Sequence, residues 1–261
     1  MKHGWLIAFT CYSFFLIFSN SCDVSNPSLE KTWFYTLESR QSKGSKKDPV
    51  LTPANFLNLQ SNGDYTCYFI EFDYGNWEKE GTYIVLKNQH HQTRKLLIQS
   101  LQKNELVLDI VPENQDNSQY HFTGIKNPFP SDSVNPYAYT KNVWRVPATH
   151  KESDQEITQR LLNHFSYWEH YFNWGLAAKL NYLDVRSLKG PLKLYGNGFA
   201  LVPFEELGSE WKSLFYDEED CLKSWNKIKI LLQKENITWP KTDNKFNSFV
   251  SAFQQLQQKL Q

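Results

Sequence analysis

The pattern of apolar and polar positions divides the chain into two regions of different secondary structure. Between residues 32 and 147, short aromatic and β-branched segments are separated by polar or glycine-containing links. Eight candidate strands have this pattern: 33–37, 56–60, 65–70, 71–87, 95–98, 106–111, 120–123 and 143–146. Many short strands with short links are typical of an antiparallel sandwich or an up-and-down barrel.

Two links in this region have distinct signals. Asn62-Gly63 separates the second and third candidate strands, and this dipeptide favours a type I′ hairpin turn. Residues 41–53 are rich in Ser, Lys, Gly and Pro, and this composition predicts a loop.

After Lys151 the spacing of the apolar residues changes from that of strands to that of a helix. Ser153 and Glu156 have the spacing of a capping box, which predicts a helix from Ser153 to about Lys179. One apolar stripe of this helix contains Ile157, Leu161, Phe165, Trp168, Phe172 and Leu176, and a second contains Tyr167, Tyr171, Trp174 and Ala178. A helix that is apolar over so much of its surface is buried on more than one side. We expect the first stripe to pack on the outside of the strand region and the second to meet the elements that follow.

Those later elements are a hairpin and two helices. Two apolar segments surround Gly196-Asn197-Gly198 and predict a β-hairpin over 191–203. Asp217 can cap a helix that ends before Pro240, and residues 244–260 have the pattern of an amphipathic helix. The fold class is therefore predicted to be α+β, with a helical cover at 148–261.

The first residues predict export. Lys2 precedes an almost continuous apolar run over 5–18, which is shorter than the roughly 20 residues that span a bilayer. A basic start, a short apolar run and small residues at its end are typical of a secretory signal, here residues 1–21. Ser21-Cys22 resembles the lipobox of bacterial lipoproteins, although Ser19 stands where that family usually has Leu. In such proteins the cysteine is acylated and becomes the first residue of the mature chain.

The resemblance makes Cys22 the predicted lipidation site, carrying palmitate-like chains, with 22–31 as a tether. It implies a protein anchored in a bacterial cell envelope, at the outer membrane of a Gram-negative organism. Two or more acyl chains anchor a protein stably where one does not. The alternative is an ordinary cleaved signal that happens to end beside a cysteine.

The strand region also resembles a known family. Thr32-Trp33-Phe34-Tyr35, the hairpin at Asn62-Gly63 and Gly75-Asn76-Trp77 are similar to segments of lipocalin-like bacterial lipoproteins. This resemblance covers about residues 30–147 and implies an eight-stranded antiparallel barrel over 32–147. It makes Trp33, Tyr35 and Trp77 the candidate ligand-binding residues. Lipocalins have a glycine two residues before the first-strand tryptophan, where this chain has Lys31. Residues 151–261 resemble no family that we recognise.

Charge and motifs exclude several classes of function. Lys plus Arg and Asp plus Glu are each 28, so the chain lacks the basic surplus of a nucleic-acid-binding protein. Neither a nucleophile elbow nor a HExxH motif occurs, and the Gly196-Asn197-Gly198 segment has the wrong context for a phosphate loop. We therefore expect no catalytic site, metal site or cofactor. The acidic run 217–220 is expected to start a helix, where carboxylates are favoured.

Cys67 and Cys221 are the thiols left within the folded region once Cys22 is acylated. An exported compartment allows them to form a disulfide. The alternative is that Cys67 is a small buried apolar side chain in its strand.

Three functional classes remain after these exclusions. The expected one is a non-catalytic lipoprotein that binds a small apolar ligand in or at the barrel. The alternative is a structural or interaction lipoprotein whose aromatic helices contact an envelope protein, and an enzyme is the least favoured. A filled barrel interior would argue against the carrier, and buried Tyr171 and Trp174 would argue against the partner-binding helices.

Overall fold

The computed structural model describes residues 27–37, 50–69, 71–110, 119–125, 128–129, 132–180, 183, 190–195, 198–240 and 244–261. The predicted signal peptide and Cys22 lie outside these residues.

Eight antiparallel strands form a closed barrel, as predicted. They are β1 Thr32–Leu37, β2 Val50–Leu59, β3 Asp64–Tyr68, β4 Phe72–Glu80, β5 Tyr83–Asn88, β6 Thr93–Leu101, β7 Glu105–Ile110 and β8 Gln119–Ile125. Each strand pairs with its neighbours in the chain, and β8 pairs with β1 to close the sheet. This architecture is compatible with a lipocalin-like barrel.

The segments that form the eight strands differ from the eight that were predicted. Residues 71–87, predicted as one strand, supply β4 and β5, because Gly81 adopts a φ of +58° and turns the chain between them. Residues 143–146, predicted as the last strand, are instead a 3-10 helix over Val143–Arg145. The carbonyls of Trp144 and Val146 accept hydrogen bonds from Arg160 at 2.8 and 2.7 Å, so they are not offered to a neighbouring strand.

Two local predictions in β2 and its hairpin also need correction. Val50–Pro53, expected in a loop, belong to β2, and the register with β1 jumps from Phe56 to Thr52. Such a bulge tolerates Pro53 because the local ladder is already broken.

The hairpin after β2 is confirmed, but only Gly63 has a positive φ, +87°, so the turn is not type I′. Gly63 N–H donates to the Gln60 carbonyl at 3.1 Å, as in a three-residue loop that ends in a left-handed glycine.

The two faces of the barrel wall belong to two hydrophobic clusters. Inward side chains form an interior cluster that includes Trp33, Leu57, Ile84, Leu96 and Leu108, all fully buried. Outward side chains such as Phe34 and Phe56 belong to a second cluster with the helical region. This alternation follows from the two-residue period of a strand.

The helical region packs on the outer wall as a cover. It contains α1 Tyr139–Asn142, α2 Asp154–Ala177, the hairpin β9 Leu192–Tyr195 with β10 Gly198–Leu201, α3 Ser209–Lys212, α4 Glu218–Lys234 and α5 Lys245–Leu260. The capping box of α2 is confirmed: Glu156 N–H donates to Ser153 Oγ, and Ser153 N–H donates to the Glu156 carboxylate. None of the described helices has the length and apolar character to cross a bilayer.

The two apolar stripes of α2 pack against the opposite neighbours to those predicted. Trp174 lies against the barrel, with its ring centroid 4.9 Å from Phe34 and 5.1 Å from Tyr137. Phe172 lies instead against α5, 4.8 Å from Phe249. The reason is that α5 presents its own row of phenylalanines, so the Phe-containing stripe is buried there. Tyr171 and Trp174 are both buried within the chain.

Candidate functional site

A cavity of about 310 Å³ lies between the barrel wall and the helical cover, and we call it the seam cavity. Tyr68 at the end of β3 and Phe72 at the start of β4 supply its barrel side. The 3-10 helix Val143–Arg145, α2 and α3 supply the other side. Its volume falls within the range of roughly 300–1,000 Å³ found for small-molecule sites.

Three tryptophans form the inner wall of the seam cavity. Trp144, Trp168 and Trp211 are each at most 5% exposed, and each lines the cavity. The His164 ring lies among them, with centroid distances of 4.5 Å to Trp144, 4.9 Å to Trp211 and 6.3 Å to Trp168. The Nε1 atoms of all three indoles have no hydrogen-bond partner within the described part of the chain. The wall is therefore aromatic, with unused N–H donors.

Arg145 is the charged group of this wall, and it is only 7% exposed. Its guanidinium carbon lies 4.2 Å from the ring centroids of both Tyr68 and Trp144, and 4.9 Å from that of Tyr167. Contacts of this kind between a cation and aromatic faces are attractive, more so where water is excluded. Its Nη2 atom has no hydrogen-bond partner among the residues that the structure describes.

A small hydrogen-bond network fixes Arg145 in place. Asn142 donates to the carbonyls of Pro136 and Ala138 at 2.8 and 2.9 Å, which holds its amide still. The Asn142 Oδ1 atom then accepts the Arg145 Nε–H at 3.1 Å. The guanidinium is therefore positioned before any ligand is present.

Two carboxylates border the same cavity, and both have partners. Glu71 pairs with Arg94. Glu210 accepts the hydroxyl hydrogen of Tyr68 at 3.0 Å. Burial raises the pKa of Tyr68, which keeps the phenol protonated and able to donate. Each of the two acidic side chains therefore has an ion-pair or hydrogen-bond partner.

His164 is held in its neutral form. Burial, and then the nearby charge of Arg145, lowers the pKa of His164 to about 3. Its Nδ1 atom has no hydrogen-bond partner in the described structure. At neutral pH the positive charge of the inner wall therefore comes from Arg145.

The ligand-binding residues predicted from sequence lie in the barrel interior. Trp33 is fully buried and donates its Nε1–H to the Leu29 carbonyl at 2.9 Å. Trp77 donates to the Gln60 carbonyl at 2.9 Å, and Tyr35 contacts the rings of Tyr120 and Phe122. Trp33 belongs to the interior cluster, Tyr35 and Trp77 are partly buried and pack against it, and none of the three lines the seam cavity. Their role in ligand binding stays a prediction.

The cysteines considered for a disulfide are both free thiols. Cys67 belongs to the barrel interior and Cys221 to the cluster shared with the helices, so the bridge between them is absent. Cys22, the predicted lipidation site, lies outside the described residues.

The acidic run 217–220 starts α4, in line with the sequence analysis. Asp217 accepts the Asp220 N–H at 2.9 Å as the helix cap. Asp220 is fully buried and accepts the Glu152 N–H at 2.8 Å, which ties α4 to the segment just before the N-cap of α2. The described residues contain no group of three His, Cys, Asp or Glu side chains that could hold a metal ion.

Sequence reasoning missed Arg145 and the three tryptophans of the inner wall as site residues. The alternating pattern of residues 143–146 predicted a strand. The contacts of Arg145 with aromatic rings were therefore not expected. A usable signal was the Trp144-Arg145 pair, because arginine is the cation most often found over a tryptophan ring.

Comparison of the chain with protein-family models and with curated proteins finds no match.

Proposed function

We propose that this protein is a membrane-anchored exported lipoprotein that binds a small, largely apolar ligand at the barrel, without catalysing a reaction. The observation that carries the proposal is the seam cavity with its three buried tryptophans. Apolar burial contributes about 25 cal/mol per Å². A ligand that buries about 150 Å² of apolar surface there would gain about 4 kcal/mol, before the cost of association.

The proposal places the ligand at the outer wall of the barrel. The interior side chains form one cluster whose members Trp33, Leu57 and Leu96 are fully buried. The N–H groups of both interior tryptophans, Trp33 and Trp77, are already bound to backbone carbonyls. The indole N–H groups of the seam-cavity tryptophans have no such partners among the described residues, which makes that wall the better place for a polar ligand atom.

A binding role without catalysis fits the polar groups of the cavity. General-base catalysis needs a base within hydrogen-bond reach of the group that it activates. His164 is the imidazole that lines the cavity within the described ranges, and its Nδ1 atom has no hydrogen-bond partner there. Ser213 donates its hydroxyl hydrogen to the Glu210 carbonyl at 3.1 Å and is not paired with His164.

The alternative role, in which aromatic helices bind a partner protein, receives less support. It required that the second stripe of α2 be exposed. Tyr171 and Trp174 are at most 1% exposed, so they serve the core of the chain itself.

Calorimetric titration of the purified full chain with indole tests the binding proposal. We expect saturable binding with one site. Ser213 is exposed on the turn after α3 and borders the cavity, so Ser213→Trp should obstruct it without disturbing the core. That variant should bind indole at least about tenfold more weakly, a loss of about 1.4 kcal/mol.

Thr140→Trp is the matched control, because it adds the same side chain at an exposed position of α1 that does not line the cavity. It should bind indole like the unmodified chain. No saturable binding, or equal affinity in Ser213→Trp, would contradict the proposal.

The anchor is tested separately at Cys22. We propose that acyl chains on this residue hold the protein in the outer membrane of a Gram-negative cell envelope. Cys22→Ser should move the protein from the membrane fraction to the soluble fraction, because no acyl chain can then be attached. Mass spectrometry that finds an unmodified Cys22 in the mature protein would contradict the anchor.

A further inference from the structure

Arg145 differs from the other buried charged side chains that the structure describes. Glu152 is 8% exposed and pairs with Arg160 at 2.8 Å. Asp220 is fully buried and pairs with Lys223 at 3.3 Å. Arg145 is equally buried, yet no carboxylate among the described residues forms an ion pair with it. A buried charge without a counter-charge is costly to the folded state, which suggests that something else supplies the counter-charge.

Three groups that share the inner wall with Arg145 are donors that have no hydrogen-bond partner among the described residues. The indole N–H groups of Trp144, Trp168 and Trp211 can donate a hydrogen bond but cannot accept one. They share the inner wall with the Arg145 guanidinium, whose Nη2 atom also has no hydrogen-bond partner in the described part of the chain. A wall of unused donors around one positive charge is complementary to a negatively charged oxygen acceptor.

We infer that the ligand of the seam cavity has a carboxylate joined to an apolar body, and that the carboxylate binds Arg145 while the apolar body packs on the tryptophans. This inference rests on the proposed function and adds the chemical class of the ligand. The planar guanidinium matches a carboxylate in a way that a point charge does not.

The carboxylates at the cavity favour a singly charged ligand. Glu71 and Glu210 border the same space, and a doubly charged phosphate would meet more repulsion from them than a carboxylate does. Arg94 offsets the charge of Glu71, and Tyr68 donates to Glu210. Tyr68 is neutral, so Glu210 keeps its negative charge, and Arg145 is the arginine or lysine that lines the cavity among the described residues.

The test compares two probes of nearly equal size and shape, indole-3-acetate and indole-3-acetamide, by calorimetric titration of the full chain at pH 7. The acid is ionised at this pH and the amide is neutral. We expect the acetate to bind at least about tenfold more tightly than the acetamide, in line with a buried charge-assisted hydrogen bond.

Substitution of Arg145 identifies the group responsible. Arg145→Met keeps a long apolar side chain among the aromatic rings and removes the charge, so the ratio of the two affinities should fall to about twofold or less. Arg145→Lys keeps the charge without the planar fork, and the ratio should stay above that of Arg145→Met. Lys212→Met is the matched control: it removes a cation beside Trp211 that does not line the cavity, and it should keep the ratio of the unmodified chain.

The outcomes separate the inference from the proposed function. Indole binding with equal affinity for acetate and acetamide would overturn the carboxylate and leave the seam cavity as a binding site. A preference for acetate that survives in Arg145→Met would overturn the role of Arg145. Absence of binding for indole and for both derivatives would overturn the proposed function. If Arg145→Met fails to fold, as judged by its near-ultraviolet circular dichroism, the comparison of the two probes on the unmodified chain and on Arg145→Lys decides.

Discussion

Two histidines on α2 lie in different surroundings. His164 is 2% exposed and packs edge-on against Trp144 and Trp211. His170 is half-buried, and its Nδ1 lies 2.6 Å from the Ser166 carbonyl. Burial lowers the pKa of both, but only His164 is brought to about 3. The difference follows from how much water each ring loses.

The depressed pKa of His164 makes stability depend on pH. Between about pH 3 and pH 6.5 the unfolded chain binds a proton at His164 that the folded chain does not bind. The contribution of the neutral ring is thus present above pH 6.5 and is lost as the pH falls. From pH 7 to pH 4.5 this loss is about 3 kcal/mol at about 1.4 kcal/mol per pKa unit.

His164→Phe keeps a ring in the same position and removes the titration. Urea unfolding followed by circular dichroism should give this variant a smaller loss of stability between pH 7 and pH 4.5 than the unmodified chain. His170 and the carboxylates titrate in both proteins, so the difference between them isolates His164. Identical losses in the two proteins would refute the assignment.

Residues with local roles were predictable from sequence, and those with long-range roles were not. Ser153 and Asp217 were identified as helix caps because a cap bonds residues two or three positions away. Arg145 also contacts Tyr68 and Tyr167, which lie 77 and 22 positions away in the sequence, and the neighbouring Trp144 does not predict those two distant contacts.

The helix α2 joins the two halves of the molecule through different faces. Trp174 meets the barrel at Phe34, and Phe172 meets α5 at Phe249. Both side chains are essentially fully buried. Truncation of a large buried aromatic side chain costs about 3–5 kcal/mol, so each alanine variant should be destabilised by about that much.

The two variants should differ in where the structure loosens. Trp174→Ala should speed hydrogen exchange in β1 more than in α5, because it removes the ring that packs on Phe34. Phe172→Ala should do the reverse. Native-state hydrogen exchange of both variants measures this. Equal loosening of β1 and α5 in both would show that the faces are not separate.

The elements themselves were predicted where a local pattern sufficed. The strands around Asn62-Gly63, the long helix α2 and the two-stranded hairpin β9–β10 all appear. The strand predicted over 143–146 does not form. Arg160, on a helix that begins later in the chain, donates hydrogen bonds to carbonyls of this segment. The sequence pattern also could not predict which face of α2 meets the barrel, because both stripes are apolar and aromatic.

The cover is fastened to the barrel at several distant points. Tyr68 donates to Glu210 across 142 positions of sequence, and Asn58 donates to the Tyr137 carbonyl across 79. The Tyr137 ring packs between Phe34 and Phe56 of the barrel wall. The seam cavity lies beside these contacts, which explains why no single segment of the sequence predicts it.

The central claim is that the ligand binds in the seam cavity and not in the barrel interior. The eight tryptophans after Cys22 make this directly measurable, because a labelled indole N–H gives one nuclear magnetic resonance signal for each. On titration with indole, the signals of Trp144, Trp168 and Trp211 should shift together and saturate with one dissociation constant. The signals of Trp33 and Trp77, inside the barrel, should stay in place. Shifts confined to Trp33 and Trp77 would contradict the account, as would a spectrum that indole leaves unchanged.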